Sequence, residues 1–243
     1  MSAGTAPRAG RGQAGGALPG WLRPLAERLP TVTLDDLAWH EDRHEDRRAG
    51  APGAAGRHRD AAVLVLLADG PAGPEVLLTE RAGTLRQHSG QVAFPGGRSE
   101  PGDPSPAATA LREAAEETGL LPAGVDVLGE LPALLLAHSG HRVTAVVGHW
   151  REPCPVGVRD PGEVARVERV PLAELLAPEA VRRVRAPGGY AGDAFAVRGL
   201  LVWGFTAEVL VRVLDLGGIG SRPRAVVEIP LEQALAWAGR SAP

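Results

Sequence analysis

Three glutamates, Glu113, Glu116 and Glu117, are spaced so that a helix through them puts all three carboxylates on one face. They would repel one another there. They also fall toward the negative, C-terminal end of such a helix, where cations are favoured. A hard, oxygen-preferring divalent cation, Mg²⁺ or Mn²⁺, would relieve both costs. A wet acidic helix face is the alternative reading of the three residues alone. Arg112 lies next to Glu113 and four residues before Glu116, placed to orient a glutamate instead of binding phosphate. The helix limits are legible. Ser105 can cap the N-terminus, Pro106 suits the first helical position and Gly119 suits a left-handed C-terminal stop. Alanines at 107, 108, 110, 114 and 115 favour helix and permit close packing.

The surrounding residues are more specific than the triad. The run Gly96–Leu120, GGRSEPGDPSPAATALREAAEETGL, resembles the signature box of the Nudix hydrolases. It departs from the usual box in two ways. Fourteen residues separate Gly97 from Arg112, one more than usual, and Asp103 stands where glutamate is common. The coenzyme A pyrophosphatase subfamily carries the same extra residue. The upstream run 77–97, LLTERAGTLRQHSGQVAFPGG, is similar to that subfamily's second signature at each of its fixed positions. Weaker likeness continues through Ser139–Gly148 (Ala145 standing where proline is more usual), 162–176 and 203–207, so the resemblance spans about residues 60–214.

The resemblance implies an α+β chain, an α/β/α sandwich in which a mixed β-sheet lies between helices and the box forms loop–helix–loop. It implies hydrolysis of the diphosphate bond of coenzyme A or its derivatives, giving 3′,5′-ADP and 4′-phosphopantetheine or its acyl derivative. It places Glu113, Glu116, Glu117 and the carbonyl of Gly97 around Mg²⁺ or Mn²⁺, with Arg112 beside them. The general base is either a box glutamate or a downstream carboxylate, for which Glu163 is the candidate. Arg81, Arg86 and His88 are the candidates for holding substrate phosphates, since arginine's planar fork suits phosphate. Two other readings stand beside this one. One is a Nudix hydrolase of another nucleoside diphosphate derivative, such as ADP-ribose or a dinucleotide. The other is a nucleotide-binding regulator without catalysis, which would not need all three glutamates. His88 and His138 have no serine or cysteine convincingly placed beside them, which disfavours a hydrolase triad.

Composition narrows the chemistry. All 26 basic side chains are arginine, so Schiff-base and P-loop lysine chemistry are excluded. Any side-chain cation that holds phosphate must therefore be arginine or protonated histidine. A net charge of −3 argues against a broadly basic nucleic-acid surface. Cys154 is the only cysteine and cannot form an internal disulfide. No run approaches the ~20 apolar residues of a membrane span, and no secretory h-region opens the chain. The expectation is a cytoplasmic protein with a small-molecule nucleotide substrate, no nucleic-acid or membrane partner, and a monomeric or homodimeric state.

The elements that must position these residues follow from periodicity and turn chemistry. Residues 1–20 read as a disordered leader, 21–57 as a helical and linker segment, 58–225 as the catalytic domain and 226–243 as a tail able to pack on it. The mixed-charge run 40–48 reads as solvated. Strands are expected at 61–68, 75–79, 91–94, 125–128, 143–150 and 164–170, with turn residues at 69–74. A short helix is expected at 171–176 and a buried helix over 200–214, while 177–197 reads equally as a substrate-facing loop or a connection.

Overall fold

The computed structural model describes residues 17–37, 58–83, 90–136, 140–220 and 227–240. The apolar run after Asp60 forms β1 (Arg59–Gly70), and the turn at Pro71–Ala72 returns it as β2 (Gly73–Arg81), with Gly70 opposite Gly73. The chain continues through β3 (Val92–Ala93), β4 (Gly96–Arg98), β5 (Val125–Glu130), β6 (Leu134–Leu136), β7 (His141–Trp150) and β8 (Val164–Pro171). These eight strands make one mixed sheet. Its central pair, β1 and β7, is parallel, and its other pairings are antiparallel.

Alternation in β1 assigns its two faces. Ala62, Leu64, Leu66 and Ala68 pack with Ala110 and Ala114 of the box helix. Val65 and Leu67 face a larger core that includes Leu22, Leu25 and Leu29 from α1 (Arg23–Arg28) and its flanking 3₁₀ turns. The box helix is α2 (Pro106–Thr118). Ala110 and Ala114 are fully buried, and their small side chains let the helix approach β1 closely.

A second sheet completes the fold. After the single turn α3 (Leu172–Leu175) come β9 (Val181–Ala186), β10 (Tyr190–Val197) and β11 (Leu200–Val202), then α4 (Gly204–Gly217), β12 (Glu228–Pro230) and α5 (Leu231–Arg240). The strand order is β11-β10-β9-β12. Leu210 and Val213 of α4 bury in the larger core, opposite the face that α2 covers. This is the expected α+β class, with helices on both faces of a mixed sheet.

Two expectations change here. Residues 200–214 do not form one helix: Leu200–Val202 pair with β10, and the helix begins at Gly204. The reason is local, because Arg198 and Gly199 both take positive φ and close a tight hairpin. Apolar periodicity alone does not distinguish such a buried strand from a buried helix. The undecided run 177–197 supplies β9 and β10, hence framework for the second sheet. Among the described residues no helix is long and apolar enough to cross a membrane.

Candidate active site

The box helix begins and ends as its residues dictate. Ser105 Oγ accepts the N–H of Ala108 at 3.2 Å, Pro106 leads the first turn, and Gly119 closes the helix at φ +76°. Glu117 is buried, at 5% exposure, and accepts the N–H of Gly96 at 3.2 Å. That bond crosses from helix to strand where β1 and β2 part to admit β3 and β4. Gly96 is required there, since a Cβ would lie 2.6 Å from Val63 Cα. A Cβ on Gly97 would lie 2.6 Å from Glu113 Oε2, so the second glycine lets the strand lie against that carboxylate.

Burial decides the electrostatics of the glutamates. Desolvation pushes the Glu117 carboxyl up to about 7; the Gly96 N–H opposes this, and the nearby Glu113 charge adds to it. Glu113 is raised as well, mainly by burial, against the pull of Arg112. The charge of Glu163 adds to the rise in both, so this downstream carboxylate lies near the pair. Arg81 acts in the opposite sense on Glu117. Its Nε is buried without a hydrogen-bond partner among the described residues.

Arg112 organises the outer side of the cluster. Its guanidinium donates to Asp103 Oδ1 and Oδ2 at 3.2 and 3.1 Å, to Glu116 Oε2 at 2.9 Å, to Glu113 Oε1 at 3.1 Å and to the Arg98 carbonyl at 2.9 Å. It thus orients two glutamates, where its spacing suggested one. Asp103 is the hub of the enlarged loop. It also accepts the Glu100 N–H at 3.0 Å and the Thr109 hydroxyl at 3.0 Å. Its bonds to Arg112 hold its carboxyl down to about 2. The shorter acid therefore serves a box longer by one residue. In the sequence Asp103 stands out only as a departure from the usual glutamate. Thr109 and Arg112, one and two helical turns into α2, were the signal that it is a structural acceptor.

Glu163 is fixed by its backbone. Its N–H donates to the Asp160 carbonyl at 3.1 Å, and its own carbonyl accepts the N–H of Ala82, at the end of β2, at 2.9 Å. The loop before it is tied to the end of α2, with the N–H groups of Gly157 and Arg159 on the carbonyls of Thr118 and Glu117 at 2.9 and 3.1 Å. Neither tie was visible in the sequence.

The structure thus brings together Glu113, Glu117, Gly97, Glu163 and Arg81. It turns Glu116 outward, with its side chain 60% exposed and paired with Arg112. Among the described residues no group of three His, Cys, Asp or Glu side chains is already arranged to hold a metal ion. Glu113 and Glu116 are engaged by Arg112, which supplies the compensating charge. Arg86, His88 and His138 lie outside the described residues.

Comparison with known proteins bears on this arrangement. The NUDIX domain profile matches residues 56–187. An uncharacterized Nudix hydrolase, NudL, from Photorhabdus laumondii is 40% identical over 159 residues, covering 63% of this chain and 82% of the relative. The protein of the same name from Escherichia coli K12 is 40% identical over 172 residues, covering 68% and 85%. Among solved structures, a Nudix hydrolase from M. smegmatis, RenU, aligns with a TM-score of 0.48 at 21% identity, covering 69% of this chain and 91% of that one.

Proposed function

The chain belongs to the NUDIX domain family, and we propose that it hydrolyses the diphosphate bond of coenzyme A or an acyl derivative with the help of a divalent cation. The observation that carries this reading is the buried Glu117 and the half-buried Glu113 against the Gly96–Gly97 turn, with the charge of Glu163 felt by both. Hard oxygen donors suit Mg²⁺ or Mn²⁺. The desolvated, mutually repelling carboxylates are the feature that a divalent cation would stabilise. Glu113, Glu117 and the Gly97 carbonyl would hold it, joined by Glu116 once that side chain leaves Arg112. Neutralisation of phosphate charge and a lower pKa for water are what the bound cation supplies.

The chain's own groups do the rest. Arg112 fixes Glu113, and through Asp103 it fixes the loop that leads into α2. Arg81, its Nε without a protein partner among the described residues, is directed at the same cluster and orients a phosphate oxygen of the substrate. Water attacks one phosphorus, the bridging P–O bond breaks, and the proton of the water passes to a carboxylate. Glu163, exposed and held by its backbone near the pair, is our choice for that acceptor. Coenzyme A is favoured as substrate by the signature at residues 77–97, which ends on the glycine turn itself.

Two measurements test the reading. Purified protein with Mg²⁺ or Mn²⁺, offered a panel of diphosphates, should release 3′,5′-ADP from coenzyme A, identified by mass spectrometry. Rapid turnover of ADP-ribose or a dinucleotide with coenzyme A left intact would replace the substrate assignment. Glu163→Gln should lower kcat by about 10²-fold with KM little changed. A kcat within a factor of two of the parent would remove Glu163 from the mechanism.

A further inference from the structure

The turn that carries Glu163 is built by one residue. Asp160 Oδ1 accepts the N–H of Gly162 at 2.8 Å, and the Asp160 carbonyl accepts the N–H groups of Glu163 and Val164 at 3.1 and 2.9 Å. The N–H groups before, at and after Glu163 thus share one acceptor residue. A side-chain oxygen that takes the N–H two residues on closes a turn that the backbone alone would leave looser. Gly162 fits this turn closely, since a Cβ there would lie 3.0 Å from Asp160 Oδ1.

Both ends of the turn are fixed to the carboxylate cluster. At its start the Arg159 N–H donates to the Glu117 carbonyl at 3.1 Å, and the Arg159 guanidinium takes the space that a Cβ on Gly119 would fill. At its end Val164 is buried and enters β8 opposite Arg81, while the Glu163 carbonyl accepts the Ala82 N–H at 2.9 Å. The ladder skips Ala165 here, since Glu80 pairs with Arg166 and Arg81 with Val164. A bulge of this kind re-aims side chains. The chain therefore runs from Glu117 to Arg81 by way of Asp160, and the place of Glu163 relative to both depends on that turn. We infer that Asp160 is a positioning residue whose side-chain oxygen holds Glu163 where it can take the proton of the attacking water. Its effect on the reaction passes through Glu163 alone. A backbone N–H needs an oxygen acceptor and not a charge, so a neutral oxygen at 160 would serve as well. This assignment rests on Glu163 as the proton acceptor of the proposed reaction.

A double-mutant cycle tests it, with the full-length protein, Mg²⁺ and the diphosphate that the parent hydrolyses fastest. Asp160→Ala should lower kcat by about tenfold with KM little changed. Asp160→Asn should recover most of that loss. Combined with Glu163→Gln, Asp160→Ala should cost less than about twofold more, because the group it positions is already gone. Unfolding temperatures of the variants separate lost position from lost fold, and the asparagine variant keeps the comparison open if alanine unfolds the loop. A tenfold loss in both backgrounds, an asparagine variant as slow as alanine, or parental kcat in Asp160→Ala would overturn the inference and leave Glu163 in its role. Parental kcat in Glu163→Gln would refute the proton acceptor itself and the inference with it. The two failures are therefore distinct.

Discussion

Glu117→Gln is expected to lower turnover by about three orders of magnitude while leaving the protein folded. The substitution keeps the volume, and the glutamine carbonyl can still accept the Gly96 N–H that Glu117 now takes at 3.2 Å. What is lost is a negative oxygen donor at a nine-tenths-buried position near Glu113 and Glu163. Initial rates with coenzyme A, together with unfolding temperatures, separate loss of chemistry from loss of fold. Turnover within tenfold of the parent would refute the assigned carboxylate pair.

The same variant has a pH signature. In chelator the folded pKa of Glu117, about 7, lies above its ordinary value of 4.5 because burial disfavours the charged form. The fold therefore binds the proton more tightly than the unfolded chain does. The stability this confers is fully present below pH 4.5 and is lost as pH rises through about 7. Glu113 shifts in the same direction. The metal-free parent should thus lose Tm between pH 5 and pH 7, and Glu117→Gln should flatten that slope. A parent whose Tm rises steadily over this range in chelator would contradict the burial argument.

Arg112→Ala should be the second severe change, with kcat falling by about 10²-fold and a measurable drop in Tm. One guanidinium here serves Asp103, Glu113, Glu116 and the Arg98 carbonyl. Removing it leaves acidic groups to repel one another and frees the loop that precedes α2. Arg112→Lys should recover little, because a point-like ammonium cannot reproduce a fork that meets both oxygens of Asp103 and three further acceptors. Near-parental kcat in the lysine variant would reduce the role of Arg112 to simple charge compensation.

Local features of the site were legible without tertiary information. Ser105, Pro106 and Gly119 mark the limits of α2 by capping and backbone preference, which depend only on neighbouring residues. The facing of Glu113 and Glu117 follows from helical spacing. The long strands followed from apolar runs bounded by turn residues, and the hairpin from Gly70 to Gly73 formed where the glycine and proline predicted it. The errors lie where local patterns are degenerate. Leu200–Val202 is apolar in either a strand or a helix, and only pairing with β10 decides between them. Glu116 shares its spacing with its neighbours, yet its Arg112 partner turns it outward.

The carboxylate helix, its caps, the glycine turn before it and the all-arginine choice of cations depend on residue type and short spacing, and were readable from those alone. Tertiary structure alone decided how deeply each glutamate is buried, and therefore which of them titrate abnormally. It also decided that Asp103 anchors Arg112 and that Glu163 lies near Glu113 and Glu117 on a loop tied to the end of α2. These outcomes join residues far apart in sequence, such as Ala82 and Glu163. Desolvation and strand register arise only once the sheet has assembled around them.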